Sequence, residues 1–154
     1  MAALQGANAM SILANGTEDF GTGPTPAQLY GALNEALQKL ALMNLHEQVV
    51  PFFGLVHDGQ VRGKSAITIE RVVTAVEIRV EGDPPGGAAL IVQININGTL
   101  QTQQFSVTAG NAYSLTTVSG DVIVPANQYA AAQITTASGA GDVVVILKSQ
   151  LRIL

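Results

Sequence analysis

The chain has 154 residues and a mass of 15.9 kDa, with no cysteine, 7 basic against 11 acidic residues and a net charge of −4. That length supports one compact domain with a small appendage, and zero cysteine excludes disulfides, thiolate zinc sites and thiol catalysis. Charged residues are only 12% and hydrophobic residues 47%, too apolar for a disordered chain and without the basic face that phosphate contacts need. Nucleic acid is therefore not an expected partner.

Residues 1–24 are rich in Ala, Gly and Asn and hold no sustained period. Such a stretch cannot offset its own ordering entropy. It nevertheless carries Met10, Ile12, Leu13 and Phe20, which a solvated tail does not need. Two readings stay open: an extended arm that orders against a partner, or a frayed terminus. Neither Lys nor Arg precedes Lys39, so a basic secretory start is missing, and no apolar run approaches the length of a membrane span.

Thr25-Pro26-Ala27-Gln28 has Thr at the N-cap, Pro at the first helical position and Gln at the third, which predicts a helix start. The helix is expected to run to about Glu47, with His46 near its C-terminal end and Pro51 as the stop; residues 25–50 then form helix and connector. Leu29, Tyr30, Leu33, Leu37, Leu40 and Asn44 recur at helical spacing as an apolar seam. The seam covers barely two heptads. It serves either association or packing on the chain's own sheet.

From residue 51 to 154 the period changes to two. Val76, Ile78 and Val80 alternate with Glu77, Arg79 and Glu81, predicting a strand with a charged outer face. Leu90, Val92, Ile94 and Ile96 form the next inward row, and Asn97-Gly98 predicts a type I′ hairpin. Thr99 to Val107 is polar on both faces and reads as an edge or as a face covered by something polar. Further strands are expected at 66–71, 113–118, 121–125, 129–136 and 142–153. The apolar end Leu151 to Leu154 is expected to pack in the sheet or at a subunit boundary. Together these predict a mainly β fold, a jelly roll or β-sandwich of about eight strands behind an arm and one α-helix.

Little chemistry is marked. His57-Asp58-Gly59 reads as a turn, no G-x-S-x-G elbow occurs, and two histidines without cysteine do not make a zinc site. Gly63-Lys64-Ser65 lacks the earlier glycine of a phosphate loop, since Asp58 stands there. Glu70, Glu77, Glu81, Asp83, Asp121 and Asp142 are spread over strands and turns, a solvated or interface face rather than a catalytic pair. Tyr113 and Tyr129 could share a face, as a sugar platform or as packing. Calcium near Asp121 or Asp142 would lack the dense oxygen ligands of an EF-hand. No enzyme, metal or cofactor is expected.

The run Leu90-Ile91-Val92-Gln93-Ile94-Asn95-Ile96-Asn97-Gly98-Thr99 resembles the apolar strand and Asn-Gly-Thr turn of small jelly-roll domains in tailed-phage virion proteins. Asp121-Val122-Ile123-Val124-Pro125-Ala126-Asn127, then Gln133-Ile134-Thr135-Thr136, and the last strand opened by Asp142 follow the same order. The resemblance spans roughly residues 72–150 and rests on turns and alternation. It implies a virion scaffold that assembles as a homotrimer. With an arm and helix ahead of the jelly roll, it most resembles a capsid decoration (cement) protein on the outer surface of the head, assembled in the host cytoplasm. The major capsid protein would be its partner, and residues 1–24 with Leu29, Leu33, Leu37 and Leu40 would anchor or trimerise it. A tail, baseplate or head-fibre adhesion domain binding a host glycan is the alternative; a cellular carbohydrate-binding module is a further one.

Overall fold

The structure is a computed structural model that describes residues 24–152. Helix α1 (Pro26–Met43) begins at the expected capping box. The Thr25 amide donates to Gln28 Oε1 at 2.7 Å and the Gln28 amide donates back to Thr25 Oγ1 at 3.3 Å, satisfying two groups that helix geometry leaves orphaned. Glu35 and Lys39, one turn apart, pair at 2.7 Å.

The helix stops at Met43 and not near Glu47, which corrects the sequence expectation. The Asn44 carbonyl accepts from the Arg71 guanidinium at 2.8 Å, and the chain then enters β1 (His46–Leu55). His46 is thus the first residue of a strand, opposite Ser149, and caps no helix. Residues 46–50, expected as connector, belong to the β-domain. Pro51 also changes role: it lies within β1, which has a neighbour on one side only, so its missing N–H breaks no ladder.

The remaining strands are β2 (Val61–Ala66), β3 (Arg71–Val80), β4 (Leu90–Ile96), β5 (Thr99–Val107), β6 (Tyr113–Val124), β7 (Tyr129–Thr136) and β8 (Gly141–Leu151). They form two four-stranded antiparallel sheets, ordered β1-β8-β3-β6 and β2-β7-β4-β5. First pairs with last, second with seventh, third with sixth, and fourth with fifth. The chain is one long antiparallel ribbon, doubled at the β4–β5 turn and rolled so that successive pairs land on alternate sheets. That is a jelly roll, the predicted fold.

The doubling point is Asn97-Gly98, whose φ angles of 48° and 94° are those of the expected type I′ turn. The Gly98 amide donates to Asn95 Oδ1 at 2.8 Å, fixing the turn to the strand before it. The core lies between the sheets, where Phe52, Ile78, Leu90, Ile94, Phe105, Ile134 and Leu147 are fully buried. The predicted inward rows of β3 and β4 are both buried there. In β5 the inward Phe105 and Val107 are buried, so only its outer face and first half are polar; it is an edge strand.

Two predicted boundaries were wrong. Residues 67–70 connect strands and are not one: Ile67 exchanges backbone bonds with Gln128 and Asn127 at 2.9 and 2.7 Å, and the strand lies earlier, at β2. The strands expected at 113–118 and 121–125 are a single β6. Its Ser119-Gly120, between the two expected strands, is a bulge with Gly120 at φ +75°, where the register with β3 shifts between Val73 and Ala75. Leu151 ends β8, paired with Arg71, while Ile153 and Leu154 lie outside the described residues.

Candidate interaction surfaces

Along α1, Leu29, Tyr30, Leu33, Leu37 and Leu40 are all exposed, Tyr30 by 72% and Leu33 by 55%. The structure places these five on helical spacing as expected. Met10, Ile12, Leu13 and Phe20 lie outside the described residues.

The outer face of β1-β8-β3-β6 is built in cross-strand rows. Val49 stands opposite Ile146, Ile146 opposite Glu77, and Glu77 opposite Leu115. In the next row Pro51, Val144, Arg79 and Tyr113 follow in the same order. Val49, Phe53, Tyr113 and Leu115 are exposed, Phe53 by 75%. A strand face that points away from the core is usually polar; this one is largely apolar.

Glu77 sits inside that apolar field and is only 4% exposed, whereas its alternation with Val76 and Ile78 predicted a solvated or interface face. Lys148 and Arg79 lie against it. Its Oε2 is 2.8 Å from Lys148 Nζ, and its Oε1 is 2.6 Å from Arg79 Nη2 and accepts from Arg79 Nε at 2.7 Å. Lys148 also reaches Glu47 Oε1 at 3.1 Å. The bond from Lys148, then that from Arg79, holds the Glu77 carboxyl below its ordinary range, against the opposing effect of burial. Lys148 is raised in turn, chiefly by its bond to Glu77 and next by that to Glu47. The Arg79 partnership was legible as same-face residues two apart. The Lys148 partnership was not, because it depends on which strand pairs with β3.

The outer face of the second sheet differs. Gln93 stands opposite both Gln104 and Gln133, Asn95 Nδ2 donates to Gln133 Oε1 at 2.9 Å, and Gln93 Nε2 donates to the Gln101 carbonyl at 2.7 Å. Gln93 and Asn95 are buried with these bonds made. Around Gln93 and Asn95 the face is uncharged, and each amide donates to a neighbour, Gln93 to a backbone carbonyl and Asn95 to a side chain.

The residues weighed for catalysis are dispersed. His57 is exposed in a turn, and Asp58 beside it accepts from the Ala137 amide at 2.7 Å. Glu70 pairs with Arg152 at 3.0 Å. Tyr113 and Tyr129 do not share a face: Tyr113 is on β6 of the first sheet and Tyr129 on β7 of the second, with Lys64 Nζ 5.8 Å from its ring centroid. Among the described residues, no three His, Cys, Asp or Glu side chains gather at one point where a metal ion could be held. No protein-family model matches the chain, and no curated protein is similar to it in sequence.

Proposed function

We propose that the chain is a structural virion protein, a capsid decoration (cement) protein of a tailed bacteriophage that binds the outside of the head as a homotrimer and bridges major capsid subunits. The observation that carries this reading is the occurrence in one chain of an exposed apolar helix seam and a jelly roll whose outer faces carry uncharged stretches, apolar on one sheet and amide-rich on the other. The seam of Leu29, Tyr30, Leu33 and Leu37 gives a self-associating element outside the β-domain. The β-domain offers two surfaces, one apolar around Val49, Phe53 and Leu115 and one of paired amides. Each shell contact is weak alone. Three held together reinforce one another through effective concentration, so the trimer grips where a monomer would not.

Light scattering after size exclusion tests the first half of the proposal. A mass of three chains that persists on dilution, and falls to one chain in a Leu33→Ser/Leu37→Ser variant, supports it. Co-sedimentation with phage heads stripped of outer proteins tests the second half. A persistent monomer that fails to sediment with heads overturns the reading and moves the weight to a glycan-binding adhesion domain.

A further inference from the structure

Strand β6 ends the first sheet and β5 ends the second. The Val80 amide donates to the Ala112 carbonyl at 2.8 Å, and in the antiparallel register that follows, the ladder to β3 falls on residues 112, 114 and 116. The backbone groups of Tyr113, Leu115 and Thr117 therefore point away from β3, to the open edge. Gln103, half-buried on the inward row of β5, reaches across to that edge. Its Nε2 donates to the Thr117 carbonyl at 3.2 Å, and its Oε1 accepts from the Ser119 amide at 2.9 Å and from the Ser119 hydroxyl at 3.2 Å. A carbonyl and an amide two residues apart on one edge are groups that a neighbouring strand takes with its own backbone. Here one side-chain amide fills both.

We propose that the Gln103 side chain is an edge cap, which holds β6 back from pairing with the β6 of a second copy of this chain. An unpaired strand edge is a template for another chain. Beyond Ser119 this edge is already broken by Gly120 at φ +75°. With Thr117 and Ser119 taken as well, only residues 113–116 stay open, short of the roughly five or six residues of a usual strand. Freed of Gln103, residues 113–119 offer a full one. The partner is a second copy because an antiparallel β6 pair about a two-fold axis at Thr116 matches the edge to itself. That pair also joins the exposed Tyr113 and Leu115 of both copies into one apolar surface. On the opposite side of the sandwich the outer strands carry their own obstacles: Pro51 lies within β1, and the register of β2 breaks between Arg62 and Ser65. The cap concerns the β-domain alone and does not depend on the cement reading.

The test compares Gln103→Ala with Gln104→Ala, a change at its exposed neighbour on the outward row of the same strand, in the full chain. Amide exchange at Ser119 should quicken about tenfold in Gln103→Ala, the loss of roughly one hydrogen bond, and keep the wild-type rate in Gln104→Ala. Light scattering at rising concentration should show Gln103→Ala moving to twice the wild-type mass while Gln104→Ala holds it. Gln103→Met keeps the length of the side chain and lacks the amide, so it should associate in the same way even where alanine loosens the fold. Leu115→Pro added to Gln103→Ala removes an edge donor that β3 does not use, and should restore the wild-type mass. An unchanged Ser119 rate, a wild-type mass at every concentration in both Gln103 variants, equal association in Gln104→Ala, or association that survives Leu115→Pro would overturn the proposal.

Discussion

Lys148 lies diagonally across from Glu77 on the first sheet, with Nζ 2.8 Å from Oε2. The diagonal follows from register: Lys148 faces Glu47 on β1 and Ala75 on β3, so one ammonium reaches carboxylates on both neighbouring strands. Three strands are tied at one point on the outside of the sandwich. A covered charge in an apolar field costs desolvation, and it survives here because its lone pairs are filled by Lys148 and Arg79.

Replacing Glu77 by Gln should therefore destabilise the fold by only about 1 kcal/mol at neutral pH, because Arg79 is half exposed and its attraction is screened. The pH dependence has a definite sign. The folded value of Glu77 lies below its ordinary 4.5, so its contribution is present above 4.5 and disappears as pH falls through the lowered folded value. Lys148 is raised above 10.5, so its contribution is intact below that value and is lost as pH climbs through the folded one. Melting temperatures of wild type and Glu77→Gln should converge in acid. A gap that stays constant below pH 4.5 would refute this.

Gly63 and Gly59 both have φ +84°, yet they should respond differently to alanine. A Cβ at Gly63 would stand 2.6 Å from Val50 Cγ2 and 3.0 Å from Gln48 Nε2, while at Gly59 nothing lies within 4 Å. Gly59→Ala should cost about 1 kcal/mol of backbone strain. Gly63→Ala should cost about 2–4 kcal/mol, since it also pushes Val50 in the core and disturbs the Gln48 side chain that donates to the Gly63 and Ala130 carbonyls. Denaturant melts of the two variants decide it, and equal losses would show that packing against β1 is soft.

Thr25→Ala removes one half of the reciprocal cap and should cost the helix about 1 kcal/mol. Amide exchange in the first turn of α1 should quicken, with the protection of sandwich amides unchanged. Protection lost equally in β3 and β4 would mean that the helix and the sandwich unfold together.

What the sequence revealed and what it hid divide along a physical line. Local chemistry was legible: the Thr25–Gln28 cap, the Asn97-Gly98 turn, and the inward rows of β3 and β4 each announce themselves within a few residues. β1 was hidden because Pro51 breaks helices everywhere but is harmless on the open side of an edge strand. β2, reading Val-Arg-Gly-Lys-Ser-Ala, has no apolar alternation; it pairs with β7, and the Gln48 side chain bonds its Gly63 carbonyl. The burial of Glu77 and the bonds that the Gly54 and Glu81 amides make to Asp142 depend on segments far apart in the chain that only the rolled topology brings together. The helix seam was legible as a pattern, and its exposure was not.

The C-terminus supplies the last test. Leu151 pairs with Arg71 at the start of β3, and Arg152 Nη1 lies 3.0 Å from Glu70 Oε1 in the preceding connection. Deleting residues 151–154 removes a ladder pair and leaves Glu70 without its cation. The ladder pair dominates, because the Glu70–Arg152 pair is partly exposed and contributes little. The loss should be about 1–2 kcal/mol, or roughly 2–6 °C in melting temperature for a chain of this size. Deleting only residues 153–154 separates two roles. A variant that keeps its melting temperature but loses trimer mass in light scattering assigns the final apolar pair to a subunit boundary. One that keeps both leaves the sheet contact of Leu151 as the reason for the apolar end, and no change on deleting all four would refute that contact too.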